Sequence, residues 1–203
     1  MTRAHVDKPF AAACERNREP ILDVLRPFFA DRRHVLEIGS GTGQHAVHFA
    51  AAMPHLVWQT SERAGHLDGI RAWLDDAALS NTPAPIALDA ADVEWPVARY
   101  DAVFSANTLH IMAWHEVEQL FAHLRGVTSE DAVLAVYGPF NLAGRFTSES
   151  NAAFDASLKQ RAQHMGIRDL EAVDALAADA GFARIGDHAL PANNRCVVWR
   201  RHP

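Results

Sequence analysis

The stretch His34-Val35-Leu36-Glu37-Ile38-Gly39-Ser40-Gly41-Thr42-Gly43-Gln44-His45 joins a short apolar run to three glycines at alternating positions, and then to a helix-forming segment. Glycines so spaced remove Cβ atoms where a ligand must come close, and they tolerate the positive φ values of such a turn. The helix that follows presents free N–H groups and the positive end of its dipole. A strand, glycine turn and helix in this order are expected to bind a nucleoside-bearing ligand, provided the surroundings agree.

Two cofactor readings compete for the turn. A dinucleotide-binding loop has the form G-x-G-x-x-G/A, and the run from Gly41 to Ala46 fits it formally; counted from Gly39 it fails, because Gln44 stands where a small residue is required. The whole run Glu37-x-Gly39-x-Gly41-x-Gly43 instead resembles the first motif of class I S-adenosylmethionine-dependent methyltransferases, in which an acid near the strand end precedes the glycines. That resemblance implies a turn packed against the ribose and amino-acid portion of S-adenosylmethionine, with Glu37, Gly39, Gly41 and Gly43 in the cofactor-binding set. A glycine turn with no ligand is the third possibility.

Working outward, 203 residues suit one domain with an ample core. Apolar residues make up 49% and charged residues 22% of the chain, as in an ordinary globular protein. No run is long enough to span a bilayer and no signal-peptide core follows Met1-Thr2-Arg3, so a cytoplasmic location without membrane contact is expected. The formal net charge of -6 argues against a duplex nucleic-acid substrate. Arg16, Arg18, Arg32 and Arg33 cluster early and are expected to be solvated at helix ends. Cys14 and Cys196 lie far apart in the chain and are expected to be free thiols.

The periodicities predict alternating elements: a helix from near Pro20 through Phe29, the strand before the glycines, and a helix over 43–52. A strand over 55–59, a helix through Leu67, Ile70 and Leu74, and a short strand over 84–88 follow. Next come a strand over 100–106, a helix through Val117, Leu120, Phe121 and Leu124 ended by Gly126, and a strand over 132–137. Helices over 148–161 and from Leu170 to Gly181 precede two last strands, 182–189 and 195–200. Alternation implies a parallel sheet covered on both faces, and the last two strands, with no helix between them, imply an antiparallel hairpin. The expected fold is therefore α/β, doubly wound, with a mostly parallel seven-stranded sheet ending in that hairpin, as in class I methyltransferases.

Ligands of doubly wound sheets lie beyond the carboxyl ends of the strands. Glu62, about twenty residues after the glycines, is expected to accept hydrogen bonds from the ribose hydroxyls, and Asp89, after the third strand, to face the adenine amino group. Either can instead cap a helix or turn. Asn107, after the fourth strand, is expected near the methionine end of the cofactor. His110 and Tyr137 are the candidate catalytic residues: an imidazole titrates near neutrality, and a tyrosine can hold or stack on a substrate as well as take a proton. His45 and His48 share a helix face, but no carboxylate or cysteine partner has metal-site spacing, so packing roles and no metal are expected. Asn141 stands four residues after Tyr137, so there is no Tyr-x-x-x-Lys pair, which weakens the dehydrogenase reading.

Further segments carry a narrower resemblance. Residues Ala13 to Leu22, Ser105 to Met112, Tyr137 to Asn141, Phe146 to Asn151, Gly166 to Asp169 and Pro191 to Arg195 resemble an uncharacterised family of methyltransferase-like proteins, the methyltransferase-like protein 26 family. It implies one class I methyltransferase domain over 1–203, S-adenosylmethionine as cofactor with S-adenosylhomocysteine as product, and an unidentified, small-molecule acceptor. Residues 1–33 form a helical extension expected to cover the active site. Arg16, Asn17, Arg18, Asn141, Asn193 and Asn194 are the expected substrate-binding residues. A protein that binds the cofactor without turning it over and a nicotinamide-dependent oxidoreductase are the rival functions.

Overall fold

The computed structural model describes residues 8–93, 95 and 98–202, so residues 1–7 of the expected N-terminal extension lie outside the described residues. In chain order the elements are α1 (Ala12–Phe29), β1 (His34–Ile38), α2 (Gln44–Ala52), β2 (Val57–Glu62), a 3-10 turn (Ala64–His66), α3 (Leu67–Ala77), β3 (Ile86–Ala87) and β4 (Tyr100–Ala106). They continue as α4 (Trp114–Val127), β5 (Thr128–Gly138), β6 (Phe140–Asn141), α5 (Glu149–Arg161), β7 (Arg168–Asp169), α6 (Leu170–Asp179), β8 (Phe182–Leu190) and β9 (Asn194–Arg201).

Seven strands form one sheet in the order β3-β2-β1-β4-β5-β9-β8, parallel except for β9, which runs antiparallel to both β5 and β8. The expected fold is the observed one. Strand order reverses between β1 and β4, so the crevice beyond their carboxyl ends is the topological switch point where such sheets take ligands.

Side-chain alternation along the strands feeds two cores. Val35, Ala102, Phe104, Val133 and Ala135 face one way, against Ile21, Leu25 and Phe29 of α1 and Phe49 of α2. Leu36, Val103, Leu134 and Val136 face the other, against Leu120, Phe121 and Leu124 of α4 and Val173 of α6. The first core centres on Phe49, Trp58 and Phe104, whose rings lie 5.4–5.9 Å apart in tilted and edge-on pairs. Such arrangements add to the stabilisation from burying the ring area.

Several sequence expectations are corrected. Helix α1 begins at Ala12, well before Pro20, and contains both Pro20 and Pro27. Proline removes one helical N–H at each point, yet the buried stripe Ile21, Leu22, Val24, Leu25 and Phe29 holds the helix against the sheet. Gly126 does not end α4: the helix runs into β5, with Thr128 bonding the Leu124 carbonyl through both its backbone N–H and its hydroxyl, 2.7 Å for the latter. Strand β2 lies at 57–62 rather than 55–59, so Glu62 is its last residue. Arg32 is not solvated. It is buried, donating to Asp31 and to the Asp131 carbonyl at 2.8 Å, and it joins the end of α1 to β5. The paired two-residue strands β6 and β7 carry no sequence signal, being too short to show a period.

Candidate active site

The glycine turn is held from below by β2. Ser40 N donates to the Ser61 carbonyl at 3.0 Å, Ser61 N to Ser40 Oγ at 3.1 Å, and Ser61 Oγ to the Glu37 carbonyl at 2.7 Å. All three glycines have positive φ: +71° at Gly39, +57° at Gly41 and +90° at Gly43. Their surroundings differ. A Cβ on Gly39 would lie 2.6 Å from Thr108 Oγ1, and one on Gly43 would lie 3.2 Å from the Ile70 Cα, so those two are small because protein packs on them. A Cβ on Gly41 would meet nothing within 4 Å; it borders open space.

Glu62 closes one side of that space. Its carboxylate accepts from Gly41 N at 3.1 Å and from Arg63 N at 2.9 Å. Asp89 is linked to the same corner through Arg63, whose guanidinium bridges Asp89 Oδ2 at 3.0 Å and Glu116 Oε1 at 2.6 Å. Glu116 in turn accepts from Ala113 N at the start of α4. Sequence reasoning misses Arg63 and Glu116. Their only signals are adjacency to Glu62 and an acid in the first turn of a helix. Glu37 lies beneath the turn, 1% exposed, and accepts from Trp58 Nε1 at 2.9 Å. Burial lifts its pKa from the usual carboxylate value to about 7, against the opposing pull of the Trp58 and Ser40 hydrogen bonds.

Asn107 ends β4 in the left-handed region, φ +57°, and donates its N–H to the Tyr137 carbonyl at 2.8 Å, which turns the chain toward the glycines and lays Thr108 on Gly39. His110 follows. It is 7% exposed, adjoins Gly138 and meets Phe154 of α5 edge-on at 5.3 Å. Burial, with the charges of Arg168 and Arg161, lowers its pKa to about 4, so at neutral pH the imidazole is uncharged. The segment is fastened by Arg168, which donates to the carbonyls of Leu109 at 3.1 Å, His164 at 3.0 Å and Met112.

Helix α1 crosses beside this face. Asn17 is buried, and its Oδ1 lies 2.7 Å from His45 Nε2. An amide oxygen only accepts, so Nε2 carries the proton, and burial keeps His45 neutral with a pKa of about 4. Burial raises the pKa of the Tyr137 phenol, with Asn17 pulling the other way. Gln44 ties the preceding segment down: it accepts from Ala11 N at 2.6 Å and donates to Glu15 at 3.0 Å. Pro9 lies over Gly69 and accepts from Trp73 Nε1 at 2.6 Å. Cys14 is half-buried, and burial moves its thiol up to about 11.

The remaining expected residues are distributed unevenly. Arg16 is exposed on α1, and its charge acts on Tyr137. Arg18 pairs with Glu15 at 2.6 Å. Asn141 donates to the Ile167 carbonyl at 3.4 Å, and its own Oδ1 is buried without a partner among the described residues. Asn193 donates to Ser150 at 3.1 Å and accepts from Asn151 at 3.2 Å through its carbonyl, pinning the β8–β9 turn to α5. The Asn194 amide bonds carbonyls of its own turn. Among the described residues no three His, Cys, Asp or Glu side chains gather as a metal site, and no helix is long and apolar enough to cross a membrane.

This fold recurs among solved methyltransferases. An S-adenosylmethionine-dependent methyltransferase, SibL, in its apo form matches with a TM-score of 0.80 at 24% identity over 95% of this chain and 56% of its own. An O-methyltransferase family protein from Burkholderia thailandensis matches at 0.78 and 20% identity, over 94% of this chain and 57% of its own. Human N-acetylserotonin methyltransferase in complex with S-adenosylmethionine matches at 0.74 and 15% identity, over 94% and 53%. The chain thus spans somewhat over half the length of these proteins, and the likeness is one of fold. A family model described as "Protein of unknown function (DUF938)" matches residues 8–201, and the chain belongs to that family.

Proposed function

We propose that the protein is an S-adenosylmethionine-dependent methyltransferase acting on a small-molecule acceptor. The observation that carries this reading is Gly41: a positive-φ glycine whose missing Cβ leaves open space at the switch point, with the Glu62 carboxylate on its N–H. That cradle fits the cofactor. Gly39 to Gly43 would line its ribose and amino-acid portion, Glu62 would exchange the Gly41 N–H for the ribose hydroxyls, and Asp89, held by Arg63, would stand toward the adenine. Asn107, fixed in the left-handed region at the end of β4, would stand toward the methionine end.

Bound there, S-adenosylmethionine would supply a methyl group activated by its sulfonium. The chain's own work is alignment of the acceptor and exclusion of water. Neutral His110, in the segment after β4, and Tyr137, near the end of β5, would be the groups to take or share a proton that the nucleophile must lose. With a pKa of about 4, His110 is a weak base suited to hydrogen bonding more than to full deprotonation. Helix α1, latched by Gln44, would cover this space as the N-terminal part of one domain over 1–203. The segments resembling the methyltransferase-like protein 26 family include α1, the post-β4 segment and the β8–β9 turn, and membership of that group, with a cytoplasmic location, belongs to the same reading.

Calorimetric titration with S-adenosylhomocysteine and with NADH tests it. S-adenosylhomocysteine should bind and NADH should not; the reverse would establish the oxidoreductase. Glu62→Ala should weaken S-adenosylhomocysteine by about tenfold or more, the scale of lost hydrogen bonds to a charged group. Unchanged affinity would remove Glu62 from the ribose.

A further inference from the structure

Arg63 follows Glu62, the last residue of β2, near where folds that bind nicotinamide dinucleotides can carry an arginine for a ribose 2′-phosphate. Here both arms of the guanidinium are already taken. Nε donates to Asp89 Oδ2 at 3.0 Å and Nη2 to Glu116 Oε1 at 2.6 Å, so one cation is shared by acids from two other parts of the chain. Its charge is matched by protein carboxylates before any ligand arrives.

Each of those acids is fixed at its second oxygen as well. Asp89 Oδ1 accepts from Ala91 N at 3.0 Å, and the Asp89 carbonyl accepts from Trp95 Nε1 at 3.0 Å, with the Trp95 ring stacked on His123 of α4 at 4.8 Å. Glu116 Oε2 accepts from Ala113 N at 2.6 Å, at the N-cap of α4. The planar fork of Arg63 thus braces the Asp89 carboxylate against the first turn of α4 and sets its direction. An ionised carboxylate offers about four acceptor positions, and among the described residues Asp89 uses one on each oxygen. Its orientation is held while room to accept remains.

Resting on the methyltransferase reading, in which Asp89 faces the adenine amino group, we propose that Arg63 is a positioning residue for base recognition: it holds the Asp89 carboxylate in the direction that accepts from an exocyclic amino group. A base with a carbonyl at that place sets an oxygen against a carboxylate that cannot turn away. The brace therefore makes Asp89 discriminate adenine from hypoxanthine; without Arg63 the acid would keep only the Ala91 N–H on its side chain and could rotate. At 50% side-chain exposure the Arg63 ion pairs contribute little to folding, so base preference and stability can be moved separately.

The probes are S-adenosylhomocysteine and S-inosylhomocysteine, which carries a carbonyl in place of the amino group, titrated calorimetrically against the full chain. The parent should prefer the adenosyl compound about thirtyfold, the scale of a hydrogen bond to a charged group replaced by an unpaired acceptor. Arg63→Gln should cut that preference to about fivefold or less while the urea midpoint stays close to the parent's. Glu116→Gln keeps an acceptor for Ala113 N but removes the charge that anchors Arg63, and should lower the preference part of the way; Arg71→Gln, on α3, should leave it intact. In an Asp89→Asn background Arg63→Gln should change the preference by no more than about twofold, because the acid through which it acts is gone. A full preference in Arg63→Gln, an effect of Arg63→Gln that persists undiminished beside Asp89→Asn, or equal binding of the two compounds by the parent overturns the proposal and leaves the cofactor reading standing. Failure of the parent to bind S-adenosylhomocysteine overturns the methyltransferase reading itself, and this inference with it.

Discussion

Around the glycine turn, the fastenings are buried and largely main-chain: Ser40 and Ser61 exchange bonds at 3.0 and 3.1 Å, Thr108 sits on Gly39 and the Ile70 backbone on Gly43. Around Tyr137 and His110, segments from distant parts of the chain are tied by side chains, many of them half-exposed: Arg168 to three carbonyls, Asn193 to Ser150, Asn151 to Asn193, Asn17 to His45. On the proposed reading, a shared cofactor would ask for one fixed cradle, which the backbone at the glycines would provide. An acceptor-binding surface assembled from side chains can be altered without rebuilding the sheet, which is the usual division between scaffold and loops.

If that contrast is sound, the largest effects on stability should come from the cradle. Glu37 is an acid whose folded pKa, about 7, lies above its unfolded value near 4.5, so the folded state holds its proton longer. Its contribution is therefore a penalty that is absent below about pH 4.5, grows as pH rises to about 7 and is then constant, on the order of 3 kcal/mol. Glu37→Gln keeps an acceptor for Trp58 and should remove that slope. Urea unfolding at pH 5 and pH 8 should show the variant gaining on the parent at the higher pH only; parallel curves would mean that the carboxyl is not protonated by folding.

Within the cradle, the glycines separate packing from ligand space. At Gly43 the left-handed φ coincides with contact on the Ile70 backbone. Gly43→Ala should therefore lower stability by about 2 kcal/mol in urea unfolding. At Gly41 an added methyl meets no protein atom. Gly41→Ala should cost only about 1 kcal/mol of stability, yet it should weaken S-adenosylhomocysteine far more than it affects unfolding. Equal effects of both changes on stability and binding would erase the distinction. The smallest effect should lie across the face. Ala192 (φ 59) and Asn193 (φ 56) lie in the short turn between β8 and β9, and such a conformation favours glycine or asparagine. Ala192→Gly should raise stability by about 0.5–1 kcal/mol in thermal unfolding, and a loss would show that the Ala192 methyl packs usefully.

The same contrast governs what can be read without coordinates. Strand order, the closing hairpin and the glycine turn follow from local pattern, because each is written in consecutive residues whose period or spacing carries the reason. Glu62 is legible as the acid at a strand end, and its place on Gly41 N is consistent with that local logic. Arg63 and Arg168 are hard to pick out, since their main partners lie far along the chain and the local signals are only the adjacency of Arg63 to Glu62 and one carbonyl close to Arg168. The start of α1 is obscured for a different reason: Pro20 reads as a helix entrance, and only the sheet beneath shows why the helix continues through it. Arg32 reads as solvated because the acid opposite, Asp131, belongs to β5.

The position of β9 has a consequence for how the protein reaches this state. It follows β8 in the chain yet lies between β5 and β8, pairing with both. Strand β8 therefore has no place to dock until β9 exists, and the economical route is for the two to zip as a hairpin and join β5 together. Closure of the turn at Ala192 and Asn193 then precedes completion of the sheet, so the left-handed alanine would be felt in the refolding rate as well as in the final stability.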